Sequence, residues 1–127
     1  MSVRPKTFPR SHRLSGKLLF AAVYDAREKH SRGPLAVYSL PNSLGHPRLG
    51  LSVSRQVGTA PRRNRIKRLL REAFRVCQYE LARGLDLVIV VRPHVPLTLA
   101  EYQKLMSALM VRSDAAWNRR APVSSIS

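Results

Sequence analysis

The stretch LGLSVSRQVGTAPRRNRIKRLLREAFRVCQYELARGLDLVIVVRP, from Leu49 to Pro93, reads as a strand, a helix and a second strand in succession. Leu49 to Ser54 alternates: Leu49, Leu51 and Val53 form a core-like face, while Gly50, Ser52 and Ser54 leave the other face shallow enough for a bulky ligand to approach the backbone. Thr59 is placed to cap a helix that tolerates Pro61 in its first turn, and the spacing predicts that helix to run to about Arg83, where Gly84 supplies a stop. At about 100° per residue, Ile66, Leu69, Leu70, Ala73, Phe74, Cys77 and Leu81 share one face. Arg65, Lys67, Arg68, Arg71 and Arg75 spread over the other with Asn64, and only Glu72 and Glu80 dilute them. A solvated helix face normally mixes signs to gain i,i+4 pairs and avoid repulsion, so this face suits phosphates. Arg63 lies nearer the apolar side at the helix start, where its cation and the free first-turn amides can hold an anion jointly. Leu85 to Val91 is a nearly continuous aliphatic run, as expected of a strand covered on both faces and close to the sheet centre.

Outward from that unit, Gly33 and Pro34 open the alternating run Leu35 to Leu40, a further strand. Pro41 to Pro47, with Asn42, Ser43 and Gly45, reads as a hairpin loop joining it to the strand at Leu49. Leu18 to about Arg27 is a short amphipathic helix capped by Ser15, with Leu19, Val23 and Ala26 along one stripe and Phe20 and Tyr24 along its neighbour. Thr98 and Glu101 form a capping-box pattern ahead of Tyr102, Leu105, Met106, Leu109 and Met110, which keep helical spacing toward Trp117 and belong to the core. Residues 1–13, basic and punctuated by Pro5 and Pro9, are expected to stay extended or mobile until an anion orders them, and 119–127 to be a disordered tail. The expectation is one α/β (α+β) domain over residues 14–118, in the order α-β-β-α-β-α around a mixed sheet.

Charge narrows the function. The chain has 127 residues, with 23 Lys and Arg against seven Asp and Glu, a formal charge of +16. Such an imbalance opposes compaction unless a polyanion lies close, which makes nucleic acid the natural partner. No segment approaches the ~20 apolar residues of a membrane span. The apolar run Leu18 to Val23, although preceded by Arg4, Lys6, Arg10 and Arg13, leads into charged Asp25, Arg27, Glu28 and Lys29 rather than a small-residue cleavage site, so it is not read as a signal peptide. The single cysteine, Cys77, has no intramolecular disulfide partner and falls on the apolar helix face, consistent with a cytoplasmic protein. The carboxylates Asp25, Glu28, Glu72, Glu80, Asp86, Glu101 and Asp114 are scattered without a D-x-D or E-x-x-E cluster, and His12, His30, His46 and His94 have no zinc spacing. A nuclease centre of the protein's own is therefore not expected. A second feature is aromatic: Phe20, Tyr24 and Tyr38 can converge over the shallow Gly50, Ser52 and Ser54 face to stack unpaired bases, or each can serve as core.

Arg63-Asn64-Arg65-Ile66-Lys67-Arg68-Leu69-Leu70-Arg71-Glu72 closely resembles the R-N-R-x-K-R-x-x-R-E signature of the bacterial ribonuclease P protein family. Phe8 followed by Arg13-Leu14 is similar to that family's F-x-x-x-x-R-L opening. Gly50-Leu51-Ser52-Val53-Ser54-Arg55 resembles the strand before the signature, and Asp86 through Arg92-Pro93 its third strand. Pro61 and Arg62 depart from the usual pattern, and the tail after Trp117 has no clear counterpart. The resemblance, over residues 8–118, implies an α/β sandwich with a left-handed βαβ crossover through the signature helix. It implies a noncatalytic subunit of an RNA-based endoribonuclease, with magnesium held by the RNA, no cofactor on the protein alone, and neither DNA nor membrane as partner. The catalytic RNA would meet Arg63, Asn64, Arg65, Lys67, Arg68, Arg71 and Arg75, and the 5′ leader of precursor tRNA a cleft of Phe20, Tyr24, Tyr38, Ser52, Ser54 and Arg55. Phe8, Arg10 and Arg13 would add N-terminal RNA contacts. Rival readings are a structural or ribosomal RNA-binding protein, which needs no leader cleft, and a helix-turn-helix DNA binder, which needs a helix where Leu49 to Ser54 reads as strand.

Overall fold

A computed structural model describes residues 10–80 and 84–120, except the side chains of Arg10 and Glu80. Three α-helices, α1 (Lys17–Asp25), α2 (Ala60–Cys77) and α3 (Leu99–Arg120), accompany four strands, β1 (Glu28–Arg32), β2 (Leu35–Pro41), β3 (Arg48–Val53) and β4 (Leu85–Val91). The strands lie in the order β1-β2-β4-β3, antiparallel except for the parallel pair β3 and β4. Leu85 to Val91 is thus an interior strand, as its aliphatic run requires, and α2 is the crossover of a βαβ unit.

Strand alternation sorts the side chains into two cores. Leu35 and Val37, Leu49, and Leu85, Leu87, Ile89 and Val91 face α2 and α3, where they meet Ile66, Leu70, Phe74, Tyr102, Met106, Leu109 and Met110. Val88 faces α1 with Leu14 and Val23, and Phe20, Tyr24, Tyr38, Leu40 and Val90 pack around it, partly exposed. On the same face buried Asp86 receives two hydrogen bonds from Arg48, at 2.8 and 2.7 Å, and one from Asn42 at 2.7 Å, which fixes the β2–β3 connection to β4. A buried carboxylate is tolerated because its charge is paired and its lone pairs are filled.

Several expectations hold. Thr59 caps α2, its side chain accepting from the Arg62 amide, and Pro61 sits in the first turn. The Thr98–Glu101 box closes reciprocally: Glu101 Oε1 accepts from Thr98 N at 2.9 Å, and Thr98 Oγ1 from Glu101 N at 3.2 Å.

Others are corrected. Residues 41–47 do not close a hairpin, because β4 inserts between β2 and β3. The hairpin is β1–β2, whose two-residue loop Gly33-Pro34 uses a glycine at φ 57°, and β1 itself (Glu-Lys-His-Ser-Arg) has no apolar alternation to announce it. The cap of α1 is Gly16, without a side-chain bond, rather than Ser15. Of the stripe Leu19, Val23 and Ala26, Val23 is buried and Leu19 is exposed, and partly buried Phe20 and Tyr24 flank Val23 on the sheet side. The α-helical part of α2 ends at Cys77 and passes into a 3-10 turn over Gln78–Glu80; Leu81 to Arg83 lie outside the described residues. Residues 10–13 are packed rather than loose: Arg10–His12 form a 3-10 turn, Arg13 bridges to Leu49, and the Leu14 amide donates to the Leu49 carbonyl at 2.9 Å. Helix α3 carries Arg119 and Arg120, so a tail could begin only at residue 121, outside the described residues.

Candidate nucleic-acid interface

Helix α2 turns Ile66, Leu70, Ala73, Phe74 and Cys77 into the core, and that leaves its cations fanned over the rest of its circumference. Asn64, Arg65 and Arg68 are exposed, whereas Arg63, Lys67, Arg71 and Arg75 are half-buried. Arg63 Nε donates to the Gly58 carbonyl at 3.2 Å, which ties the guanidinium to the turn before the helix. Arg75 forms an ion pair with Glu72 on the same helix, with Nε donating to both carboxylate oxygens at 3.2 Å, so a phosphate there must compete with that carboxylate. The bonds from Arg75 hold the Glu72 carboxyl below its ordinary range.

The α1 side of the sheet supplies the second half of the site. The register sets Lys29, Tyr38, Val88 and Gly50 in one row across all four strands, and Ser31, Ala36, Val90 and Ser52 in the next. Helix α1 crosses the first row. Phe20 lies directly over Gly50, where a Cβ would come within 2.5 Å of its ring, and the Tyr24 ring meets Tyr38 edge-on at 4.8 Å. The three aromatics predicted from sequence are therefore brought to one face. They are partly buried as well as partly exposed, so they both pack on Val23 and Val88 and leave ring surface to solvent. Ser52 lies in the second row, half-buried, while Ser54 and Arg55 sit just past the end of β3, exposed.

The two halves meet. Arg13, Lys67 and Arg71 surround a recess of about 290 Å³ whose other walls include Phe20, Gly50 and Ser15. Burial, and then the positive charge of Arg13, lower the pKa of the Arg71 guanidinium. A guanidinium stays charged under any ordinary condition, so Arg71 is a partly desolvated cation, with the charge of Arg13 adding to the cost, and an anion in the recess would offset both. Three residues that sequence reasoning placed in separate groups, Arg13, Phe20 and Arg71, thus border one recess. Phe8 lies outside the described residues, and so does the side chain of Arg10. Sequence reasoning missed Lys29 and Arg92, exposed cations on the α1 side; the two-residue Gly33-Pro34 loop was the signal that could have exposed β1 and with it Lys29. A larger groove of about 880 Å³ between α2 and α3, lined by Val76, Ala100, Lys104 and Val111 among others, contains none of the candidate RNA-binding residues predicted from sequence.

The sequence model of the Ribonuclease P family matches residues 8–114. The chain belongs to the ribonuclease P protein family. It is 46% identical over 103 residues to the ribonuclease P protein component of Methylococcus capsulatus, covering 80% of this chain and 78% of that one. Identity to the ribonuclease P protein component of Photorhabdus laumondii is 43% over 89 residues, covering 69% of this chain and 74% of that one. Among solved structures, the ribonuclease P protein of Staphylococcus aureus superposes with a TM-score of 0.70 at 27% identity, covering 80% of this chain and 94% of the other. That of Thermotoga maritima gives 0.72 at 26% identity, with 79% and 96% covered. The mixed-sheet α+β fold is thus that of solved ribonuclease P proteins.

Proposed function

We propose that this chain is the protein subunit of a cytoplasmic ribonuclease P, in which an RNA subunit and the magnesium it holds cleave the 5′ leader from precursor tRNA. The protein binds RNA twice. The exposed cations of α2, Arg65 and Arg68 foremost with Asn64, meet the catalytic RNA through its phosphates, and Arg63, Lys67, Arg71 and Arg75 extend that contact. The leader lies in the cleft of Phe20, Tyr24 and Tyr38, stacking its bases on the rings and bringing its backbone close to Ser52, Ser54 and Arg55. Phe8, Arg10 and Arg13 continue the contact from the N-terminal side.

The observation that carries this reading is the shared recess. Arg13, Lys67 and Arg71 join the cationic helix to Phe20 over Gly50, so that a backbone-binding surface runs into a base-stacking one. Four of the carboxylates are engaged by other side chains or amides, which favours a noncatalytic role: Asp86 is bound by Arg48 and Asn42, Glu72 by Arg75, Glu28 by His30 and Arg120, and Glu101 by Thr98. The test is to incubate precursor tRNA and magnesium with the protein alone, then with the RNA that copurifies with it. Cleavage is expected only with the RNA, and that RNA should be a ribonuclease P RNA. Site-specific cleavage by RNA-free protein would overturn the proposal.

A further inference from the structure

We infer that the leader path continues past the aromatics to the β1 edge of the sheet, where Lys29 and Arg92 hold leader phosphates upstream of the stacked bases; this rests on the leader cleft proposed above. The register carries the argument. Lys29 stands beside Tyr38 in the row that begins at Gly50, and its Nζ lies 5.6 Å from the Tyr38 ring centroid. From Gly50 to Lys29 the row spans three strand spacings, about 14 Å, so it is long enough for more than one nucleotide. The neighbouring row of Ser31, Ala36, Val90 and Ser52 carries no side chain larger than valine; Ala36 is buried within it, and its β1 end at Ser31 is exposed.

Arg92 reaches the β1 end of this row. It follows β4 directly, and its Nη2 reaches past β2 to within 3.5 Å of Ser31 Oγ on β1. Lys29, Ser31 and Arg92 are all exposed, and α1 packs over β2 and β4, inward of them. Alternation along β1 turns its one carboxylate away: Glu28 faces α3, where Arg120 binds it at 3.1 Å and His30 at 2.8 Å. Tyr38 thus has the Lys29 ammonium on its outer side and the Arg92 guanidinium one row further on at Ser31, an arrangement that suits a base on the ring with its upstream phosphates on the two cations. The competing explanation is that charged residues merely guard an edge strand from pairing with other chains.

The experiment uses reconstituted holoenzyme and precursor tRNAs whose leaders are lengthened one nucleotide at a time, with Kd measured at several salt concentrations for the parent, Lys29→Gln, Arg92→Gln and the double variant. In the parent, affinity should climb with leader length to a plateau. In the variants the plateau should come at a shorter leader, with mature tRNA and the shortest leaders bound as in the parent. For long leaders the slope of log K against log salt should flatten by about 0.7 for each single-strand phosphate that a variant no longer neutralises. An unchanged length profile and slope would overturn the inference, as would an equal loss for mature tRNA, and aggregation of the variants with unchanged RNA affinity would mark edge protection instead. If the parent itself gains nothing from a leader, the cleft reading fails and not the β1 extension alone.

Discussion

A Cβ at position 50 would sit 2.5 Å from Phe20 Cζ and 3.3 Å from the Leu14 carbonyl oxygen. Gly50→Ala should therefore push Phe20 and the start of α1 off the sheet, costing about 1–3 kcal/mol as an overpacked contact does. The check is a urea titration of the variant beside leader-dependent affinity in the holoenzyme; a stable variant with unchanged affinity would show that Phe20 moves aside freely. Sequence could say that Gly50, Ser52 and Ser54 make a shallow face, because strand period alone assigns them to one side. It could not say which ring fills the space, since that depends on how α1 packs over β2 and β4. His12 was equally opaque: a scattered histidine in sequence, it stacks on His46 at 4.3 Å, and its Nδ1 is buried without a hydrogen-bond partner. Burial first, and the His46 charge second, lower its pKa below the ordinary 6.5, against a hydrogen bond to the Gln78 side chain that raises it. The unfolded chain then binds the proton more readily than the folded one, so the stabilisation is full above pH 6.5 and is lost as pH falls below it. Urea midpoints on either side of pH 6.5 should show the parent losing stability relative to His12→Phe on the acid side; parallel loss in both proteins would contradict this assignment.

Helix α2 was the most legible element because three independent signals agree on it: a Thr59 cap, Pro61 in the first turn and a long apolar stripe. Its cationic face needs no tertiary information either, as the wheel separates Arg65 and Arg68 from Ile66 and Leu70. Replacing Arg65 and Arg68 with Gln should leave the helix folded, since both are exposed, while weakening binding to the catalytic RNA. The slope of log K against log salt should flatten by about 0.7 to 0.9 for each phosphate left without its cation. A folded double variant with the parental slope would remove this face from the interface. Strand β1 was illegible for the opposite reason. It lies at the sheet edge with polar residues on both faces, so no periodicity marks it, and its existence depends on pairing with β2. The same nonlocal pairing defeats the supposed hairpin at 41–47, because nothing in that loop reports that β4, beginning only at Leu85, will enter between β2 and β3.

The described residues form two cores on either side of one sheet, and the two surfaces proposed to face RNA meet at the recess of Arg13, Lys67 and Arg71. With a charge of +16, binding of some kind to any RNA is expected, so affinity alone cannot test the division of labour. Separability can. Tyr38 packs edge-on against Tyr24 and keeps part of its ring exposed, so Tyr38→Ala removes stacking surface without opening the main core. Losing one stacked base typically costs about 1 to 3 kcal/mol. The decisive measurement is a paired one on reconstituted holoenzymes carrying either Tyr38→Ala or Arg65→Gln with Arg68→Gln: affinity of the protein for the catalytic RNA, and the ratio of affinities for leader-bearing and mature tRNA. Two surfaces with separate partners predict that Tyr38→Ala collapses the leader ratio with assembly intact, and that the arginine variant weakens assembly with the ratio intact once assembled. If each variant lowers both quantities together, the protein presents a single undivided RNA surface and the account is wrong.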